Sequence, residues 1–352
     1  MYWCKSDIYL FSILGVCFMT RFIKNITAFA FPFILLLCLY ILCDPFKVIW
    51  QYDNYHCNTG GALNRNFVST MNYLNKKDKY HYDSFIFGNS RSLFYMIDDW
   101  KNYIPSESKC YHFSESGGSI HGVLYKLRLI DSLNENINNA LFVIDIDLLN
   151  RINQEDEGII AIMPPALIHN KNLLSFHRDF LIQWFNPRFF YYWMKFKLTG
   201  KFEQDMEQYI AKGTNHKYYN PITNEEPNHV QDSLIAIGAY YDKKRLAVFE
   251  DKQHPKVSKE LLNDQEKIRS IKDMGLILAK HRTKYKIIIS PLYNQVKISP
   301  KDLQFLRTVF GSDNVYDFSG VNKYTSDYHN YYESSHYRKE IASEIMNYIY
   351  NH

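Results

Sequence analysis

The chain lacks a strong charge bias, a disulfide framework and any metal-ligand spacing, and each absence removes a class of function. Lys and Arg number 41 against 37 Asp and Glu, a formal net charge of +4 over 352 residues. That balance is too even for a protein that tracks phosphates by charge alone, so nucleic acid is not the expected partner. Cysteines number 6, and Cys4, Cys17, Cys38 and Cys43 fall in the first, apolar stretch. Only Cys57 and Cys110 remain for a disulfide in an oxidising exterior, and nothing in the sequence shows that they approach each other. No paired Cys spacing suggests a metal. His81, His112, His121, His169 and His329 are scattered, with no H-E-x-x-H or comparable pattern, so no metal and no other cofactor is expected. Repeats and low-complexity tracts are absent, and 46% hydrophobic against 22% charged residues excludes broad disorder. Trp is scarce at 5, yet 29 Tyr and 24 Phe lift the aromatic share to 16%. Such rings suit packing, a membrane boundary or sugar stacking, and composition does not choose among them.

Residues 25–43 (NITAFAFPFILLLCLYILC) carry no charge and approach the roughly 20 apolar residues that cross a bilayer core. Pro32 is tolerated in such a helix. Arg21 and Lys24 precede the run, and Asp44 and Pro45 follow it. The positive-inside rule therefore puts the N-terminus in the cytoplasm and nearly everything after Asp44 outside. Residues 1–45 read as a cytoplasmic N-terminus and transmembrane anchor of a single-pass protein with a periplasmic or extracytoplasmic domain. A cleaved signal peptide wants an A-x-A-like site, which Tyr40, Leu42 and Cys43 do not offer. A lipoprotein site at Cys43 is disfavoured by bulky Leu42. A second apolar run, 8–19, is short for a span, and Met19-Thr-Arg-Phe-Ile-Lys makes an alternative signal-anchor start.

Residues 46–80 read as a stalk and lead-in, broken by Gly60-Gly61 and holding a helix near 66–75. From 81 to 352 the pattern changes. Short apolar runs at 84–88, 109–113, 140–145, 285–290 and 314–318 read as strands buried on both faces. Helical patterning at 122–130, 264–280 and 338–350 lies among them. Strands alternating with helices predict an α/β domain, a three-layer α/β/α sandwich on a five-stranded parallel sheet. Residues 150–260 break the rhythm with Met163-Pro-Pro165 and a strongly aromatic piece at 176–196, and read as a mainly helical insertion.

Ligands of an open parallel sheet bind outside the C-terminal ends of its strands. The first strand ends in Gly88-Asn-Ser90-Arg-Ser92. A serine there sits at the positive end of a helix with its N–H facing outward, either as a nucleophile or as an N-cap. The second ends in Phe113-Ser-Glu-Ser-Gly117-Gly118-Ser119, where paired glycines let the backbone approach a ligand and present N–H groups. The third brings Asp145, Asp147 and Asn150 to the same rim. Near the C-terminus, Tyr331-Tyr-Glu333-Ser-Ser-His336-Tyr337 precedes the last helix. A carboxylate three residues before a histidine can bond Nδ1 and leave Nε2 for a serine, which is triad logic in the order Ser, Glu, His.

These blocks resemble the SGNH, or GDSL-like, hydrolases, and particularly their membrane-anchored branch of DltD-like, D-alanyl-transfer and polysaccharide O-acetyltransferase-like proteins. The resemblance covers about 80–150 and 284–350, and the anchor followed by Asp44-Pro45-Phe46 is similar to that branch. It implies Ser90 as nucleophile, His336 as base and Glu333 in the place of the usual aspartate, with Asp327 in reserve. It also implies an oxyanion hole from the N–H groups of Ser90 and Gly117 or Gly118. The family's third block carries an asparagine in a Gly-x-Asn-Asp context. The sequence 146–150 does not match it, so Asn150 is the nearest candidate for the third donor, since an ionised Asp147 would repel an oxyanion.

The implied activity is that of an acyl-ester hydrolase or O-acyltransferase working on a cell-surface polysaccharide, supplied by an acyl donor or by a multispanning membrane acyltransferase. Arg91 reads as a binder of an anionic donor or glycan, or as a plain surface cation. The aromatic insertion reads as a sugar-stacking or partner-docking element, or as helices packed over the domain. A rival of another class keeps the fold without turnover, as an accessory protein that binds glycan or the acyltransferase, and Glu333 and the missing asparagine motivate it.

Overall fold

A computed structural model describes residues 5–55, 60–151, 158–168, 172–210, 220–226, 229–249 and 256–352. Helix α1 (Lys5–Cys43) runs unbroken through Pro32. Its segment Met19–Cys43 is long and apolar enough to cross a membrane, with a mean hydropathy of 2.5 and little of it buried by protein. Helix α1 carries Arg21 and Lys24 ahead of the charge-free run.

The chain then alternates as expected. Helix α2 (Arg65–Tyr80) precedes β1 (Ser84–Gly88), α3 (Ile97–Trp100), β2 (Cys110–Ser114), α4 (Ile120–Ser132), β3 (Asn139–Ile144) and α5 (Ile146–Asn150). Four helices follow in the segment read as an insertion: α6 (Leu173–Trp184), α7 (Pro187–Thr199), α8 (His229–Ala236) and α9 (Lys243–Leu246). The chain closes with α10 (Gln265–Lys280), β4 (Lys284–Ile289), α11 (Pro300–Phe310), β5 (Val315–Asp317), the antiparallel pair β6 (Tyr331–Glu333) and β7 (His336–Tyr337), and α12 (Lys339–Asn351).

Strands β1 to β5 form one all-parallel sheet in the order β2-β1-β3-β4-β5. Alternate residues face opposite sides, and both sides are dry. Phe85, Phe87, Phe113 and Phe142 pack on one side with Ile271 and Met274 of α10 and Val123 and Leu127 of α4. Ile86, Leu141, Val143 and Ile288 pack on the other with Trp100 and with Ile341, Ile345 and Ile349 of α12. Two apolar faces explain why the strands read as continuous apolar runs rather than alternating ones. In this order β1 and β3 flank the point where the winding reverses, which is where open α/β sheets bind ligands.

A third cluster joins segments that the sequence reading kept apart. Phe46, Val48 and Tyr55 are buried with Phe67 and Val68 of α2, Phe176, Phe180 and Trp184 of α6, and Phe189, Trp193 and Phe196 of α7. The described residues of the lead-in, 46–55 and 60–80, therefore pack against the helices of the insertion. The turn after α1 is fixed by Asp44, whose buried carboxylate accepts from the N–H groups of Val48 (2.9 Å), Ile49 (3.0 Å) and Trp50 (3.1 Å) and the hydroxyl of Tyr52 (3.0 Å). Gly61 lies flat on that turn. A Cβ there would stand 2.0 Å from the Pro45 carbonyl oxygen, whereas Gly200, with φ +67°, has open space around it. The proposed pair Cys57–Cys110 falls partly outside the described residues, since Cys57 is not among them; Cys110 is a buried free thiol.

Gly61→Ala should lower the melting temperature more than Gly200→Ala, because the first must displace backbone and the second costs only about 1–2 kcal/mol of left-handed strain. Thermal unfolding of the two full-length variants in detergent checks this, and the reverse ranking would disprove close packing of Gly61 on the turn.

Candidate active site

The parallel register sets Gly88 beside Ser114 of β2 and Val143 of β3, so the three following loops share one rim. Residues Ser90–Phe94 form a short 3-10 turn directly after β1. Its N-cap is Asn89 and not Ser90: the Asn89 Oδ1 accepts from the Arg91 N–H at 3.0 Å. The Ser90 hydroxyl is thereby left for another partner. Gly88 is needed for close approach, because a Cβ would lie 2.5 Å from the Val143 carbonyl oxygen and 2.7 Å from the Ser92 Cβ. Ser92 is buried beneath the turn, with its Oγ 2.7 Å from the Asn89 carbonyl and 2.8 Å from His112 Nε2. Burial pushes His112 down to about 3, so it is neutral and structural.

Glu333 and His336 sit on a tight β6–β7 hairpin, paired across its two-residue turn, where the sequence suggested a plain loop. His336 Nε2 lies 2.7 Å from Ser90 Oγ. On its other side His336 Nδ1 bonds Glu333 Oε1. Serine, imidazole and carboxylate thus form one continuous chain from residues 246 positions apart. With Nδ1–H directed at Glu333, Nε2 is free to accept the serine proton. The Ser335 N–H and hydroxyl also donate to Glu333, at 2.8 and 2.9 Å. Burial raises the Glu333 pKa, but the hydrogen bond and charge of His336 and the Ser335 donors outweigh it and hold the carboxyl at about 2.

Arg91 is neither a surface cation nor exposed to a ligand. It is buried, donating to Asp145 Oδ2 (2.8 Å), Asp147 Oδ2 (2.7 Å) and the Ser335 carbonyl (2.9 Å). Burial works against its charge, and the two carboxylates more than restore it. Asp147, feared as a like charge beside an oxyanion, is therefore paired. Asp145, fully buried, also accepts from Asn89 Nδ2 at 2.7 Å and caps α5 through the Leu148 N–H at 2.8 Å.

Gly117 and Gly118 have φ of +69° and +43°, conformations that favour glycine. A Cβ on Gly118 would stand 2.8 Å from the Asn89 Cβ, which puts this loop against the residue preceding Ser90. The Gly118 N–H is given to the Ser116 carbonyl at 2.8 Å. Of the two glycines, Gly117 is the one whose N–H meets no acceptor among the described residues. Below the loop lies a fully buried ion pair, Lys126 Nζ to Glu115 Oε1 at 2.9 Å.

Two expected residues stay apart from the group. Asn150 is exposed at the far end of α5, its carbonyl accepting from Lys267 Nζ at 2.8 Å, and no contact among the described residues brings it to Ser90. Asp327 bonds the ring of its neighbour His329 at 2.8 Å instead of His336. Sequence reasoning gave Asn89 no role and placed Asp145 at the rim without its partners Arg91 and Asn89, although Asn89 lies inside the motif that drew attention to Ser90. It also missed the clamp that the insertion puts on the hairpin. Tyr240 donates to the Tyr332 carbonyl (2.9 Å) and Tyr241 to the Tyr331 carbonyl (2.8 Å), while the Tyr332 hydroxyl donates to Asp232. Among the described residues no group of three His, Cys, Asp or Glu side chains is arranged to hold a metal ion. The chain matches no protein-family model and no curated protein.

The folded Glu333 value lies below the ordinary 4.5. Its carboxylate therefore contributes fully above that value, and the contribution is lost as pH falls through about 2. Near neutral pH the group is charged, so Glu333→Gln should slow fluorophosphonate labelling of Ser90 by roughly 10²–10⁴-fold, and an unchanged rate would remove Glu333 from the chain of bonds. Tyr240→Phe with Tyr241→Phe should slow the same labelling more mildly, since the hairpin is loosened and not disarmed; labelling kinetics compare the three proteins.

Proposed function

We propose that this protein is a membrane-anchored, extracytoplasmic serine acyl-ester hydrolase or O-acyltransferase of SGNH type, acting on a cell-surface polysaccharide through a Ser90 acyl-enzyme. The observation that carries the reading is the unbroken Ser90–His336–Glu333 chain at the rim where β1 and β3 diverge. The five-stranded parallel sheet with helices on both faces fits the three-layer α/β/α sandwich of that superfamily, and the apolar α1 fits a single-pass anchor with its N-terminus in the cytoplasm.

In the reaction, Ser90 Oγ attacks the ester carbonyl as its proton passes to His336 Nε2, and Glu333 stabilises the resulting imidazolium. The tetrahedral oxyanion is met by the N–H groups of Ser90 and Gly117, each donor of this kind commonly being worth about 2.7–4 kcal/mol. The tetrahedral centre collapses, the alkoxide leaves with the proton held by His336, and the acyl group stays on Ser90. Water or a sugar hydroxyl then attacks the acyl-enzyme, returning Ser90 to its starting state. A fixed position at the membrane favours transfer from a multispanning acyltransferase over release to water, because donor and acceptor then meet in one place.

The second reading is a non-catalytic accessory protein that binds glycan or the acyltransferase. It is favoured by one observation: the residue of β3's loop that meets the Ser90 turn is the carboxylate Asp145 and not a donating amide. Ser90→Ala should abolish fluorophosphonate labelling and reduce ester-linked acyl groups on the native surface polysaccharide. Labelling that survives Ser90→Ala refutes the nucleophile. Labelling lost while polysaccharide acylation stays unchanged favours the accessory role.

A further inference from the structure

Helix α6 meets α1 inside its charge-free run. Trp184 Nε1 donates to the Leu36 carbonyl at 2.8 Å, and the Trp184 and Tyr40 rings lie 6.0 Å apart. The Tyr40 hydroxyl is within 3.3 Å of His177 Nδ1. Leu36 precedes the end of the charge-free run 25–43 by seven residues, about 10 Å along a helix. That run is about 28 Å long against a hydrocarbon core of about 30 Å, so the Leu36 carbonyl lies about 10 Å below the hydrocarbon surface, at the lower edge of the ~5–10 Å depth at which amphipathic helices settle.

The surface of the pair fits that depth. Phe176, Phe180 and Trp184 of α6 and Phe189, Trp193 and Phe196 of α7 face the protein core. Each helix carries a second apolar stripe pointing away from it. On α6 Leu174 is 84% exposed, and Phe185 follows at its C-terminal cap; on α7 Tyr191 and Leu198, the latter 79% exposed, lie two turns apart. Helices apolar on two faces are covered on both in a finished structure, and no protein segment among the described residues covers the outer one. Of the cations on the pair, Arg178 is bonded to Asp179 at 3.1 Å and Lys195 to Glu203 at 2.6 Å; Arg188, Lys197 and Lys201 carry its remaining positive charge, the sign that suits anionic headgroups.

We propose that α6–α7 lies in the surface of an anionic phospholipid bilayer, with the outward stripe of Leu174, Phe185, Tyr191 and Leu198 in the acyl-chain boundary. This rests on the anchored reading of α1, from which the depth is measured. The occupant is lipid and not a protein partner because α6 bonds α1 directly at Leu36 and Tyr40, inside the apolar segment that is long enough to cross a membrane.

Full-length protein reconstituted into vesicles of phosphatidylethanolamine and phosphatidylglycerol, with a trace of phosphatidylglycerol bearing a diazirine in its acyl chain, tests the proposal after irradiation and peptide mapping. Adducts on both α1 and the 173–198 region are expected. Adducts on α1 alone would overturn the docked pair while leaving the anchor standing, and would hand the stripe to a protein partner. Absence of adducts on α1 would overturn the anchor and this proposal with it. In the double variant Leu174→Glu, Leu198→Glu, with thermal unfolding unchanged, adducts at 173–198 should fall several-fold while those on α1 persist. Undiminished adducts at 173–198 would refute the assignment of that stripe to lipid.

Discussion

The Arg91 guanidinium donates at once to Asp145, Asp147 and the Ser335 carbonyl, and the placement of Ser90 depends on this single buried cation. Its three partners belong to the loop after β3 and to the hairpin of Glu333 and His336, while Arg91 itself follows Ser90 in the loop after β1. One side chain therefore fixes three separate segments around the serine. The arrangement is demanding. A buried charge stripped of a partner commonly costs about 3–5 kcal/mol, so the loops are held in register by the penalty for leaving it. Asn89 closes the same circuit from the other side, bonding Asp145 through its amide and capping the serine turn through its carbonyl oxygen. Preorganisation of this kind holds Ser90 Oγ and His336 Nε2 at 2.7 Å.

Much of this was legible in the sequence, and the reason is physical. Strands buried on both faces announce themselves as short apolar runs, and all five lie within two residues of where the pattern puts them. Ser90, Glu333 and His336 were readable because each sits in a local motif at a strand end or before a helix. Arg91, Asp145 and Asn89 were not, because their meaning lies in pairings between segments some 55 residues apart, which no local period records. The Asn150 expectation failed for a related reason. It assumed that the loop after β3 supplies an amide as the resembled family does, whereas here α5 starts at once and carries Asn150 away to Lys267. The hairpin was invisible because strands of three and two residues carry no periodicity to detect.

The aromatic surplus resolves into three uses instead of one. Phe85, Phe87, Phe113 and Phe142 fill one side of the sheet. Tyr331, Tyr332 and Tyr337 hold the triad hairpin, with Tyr337 reaching Ser290 at 3.1 Å and Tyr331 donating to the Pro291 carbonyl at 3.1 Å. Phe176, Phe180, Trp184, Phe189, Trp193 and Phe196 pack with Phe46 and Val48 of the turn that Asp44 organises. Packing claims most of the rings, and their polar tips serve as struts. Tyr rather than Phe stands where a carbonyl is tied down, as at Tyr82, Tyr111, Tyr240, Tyr241, Tyr285 and Tyr331.

Helix α2 links these regions into a fixed geometry. On one side Phe67 stacks on Phe176 of α6, with ring centroids 5.5 Å apart. On the other the Ser69 hydroxyl donates to the Ser114 carbonyl at 3.1 Å, and the Tyr111 hydroxyl to the Ser69 carbonyl at 2.7 Å. Ser114 is the last residue of β2, one step before the loop of Gly117 and Gly118. The chain of contacts therefore runs from α1 through α6 and α2 to the rim that holds Ser90. A site carried on a free stalk would sample many heights above a membrane and would meet a membrane-bound donor rarely. A site braced through α2 has one height. Under the acyl-transfer reading this bracing supplies what diffusion would otherwise have to, since the entropy of bringing donor and serine together is met when the chain folds and not at each turnover.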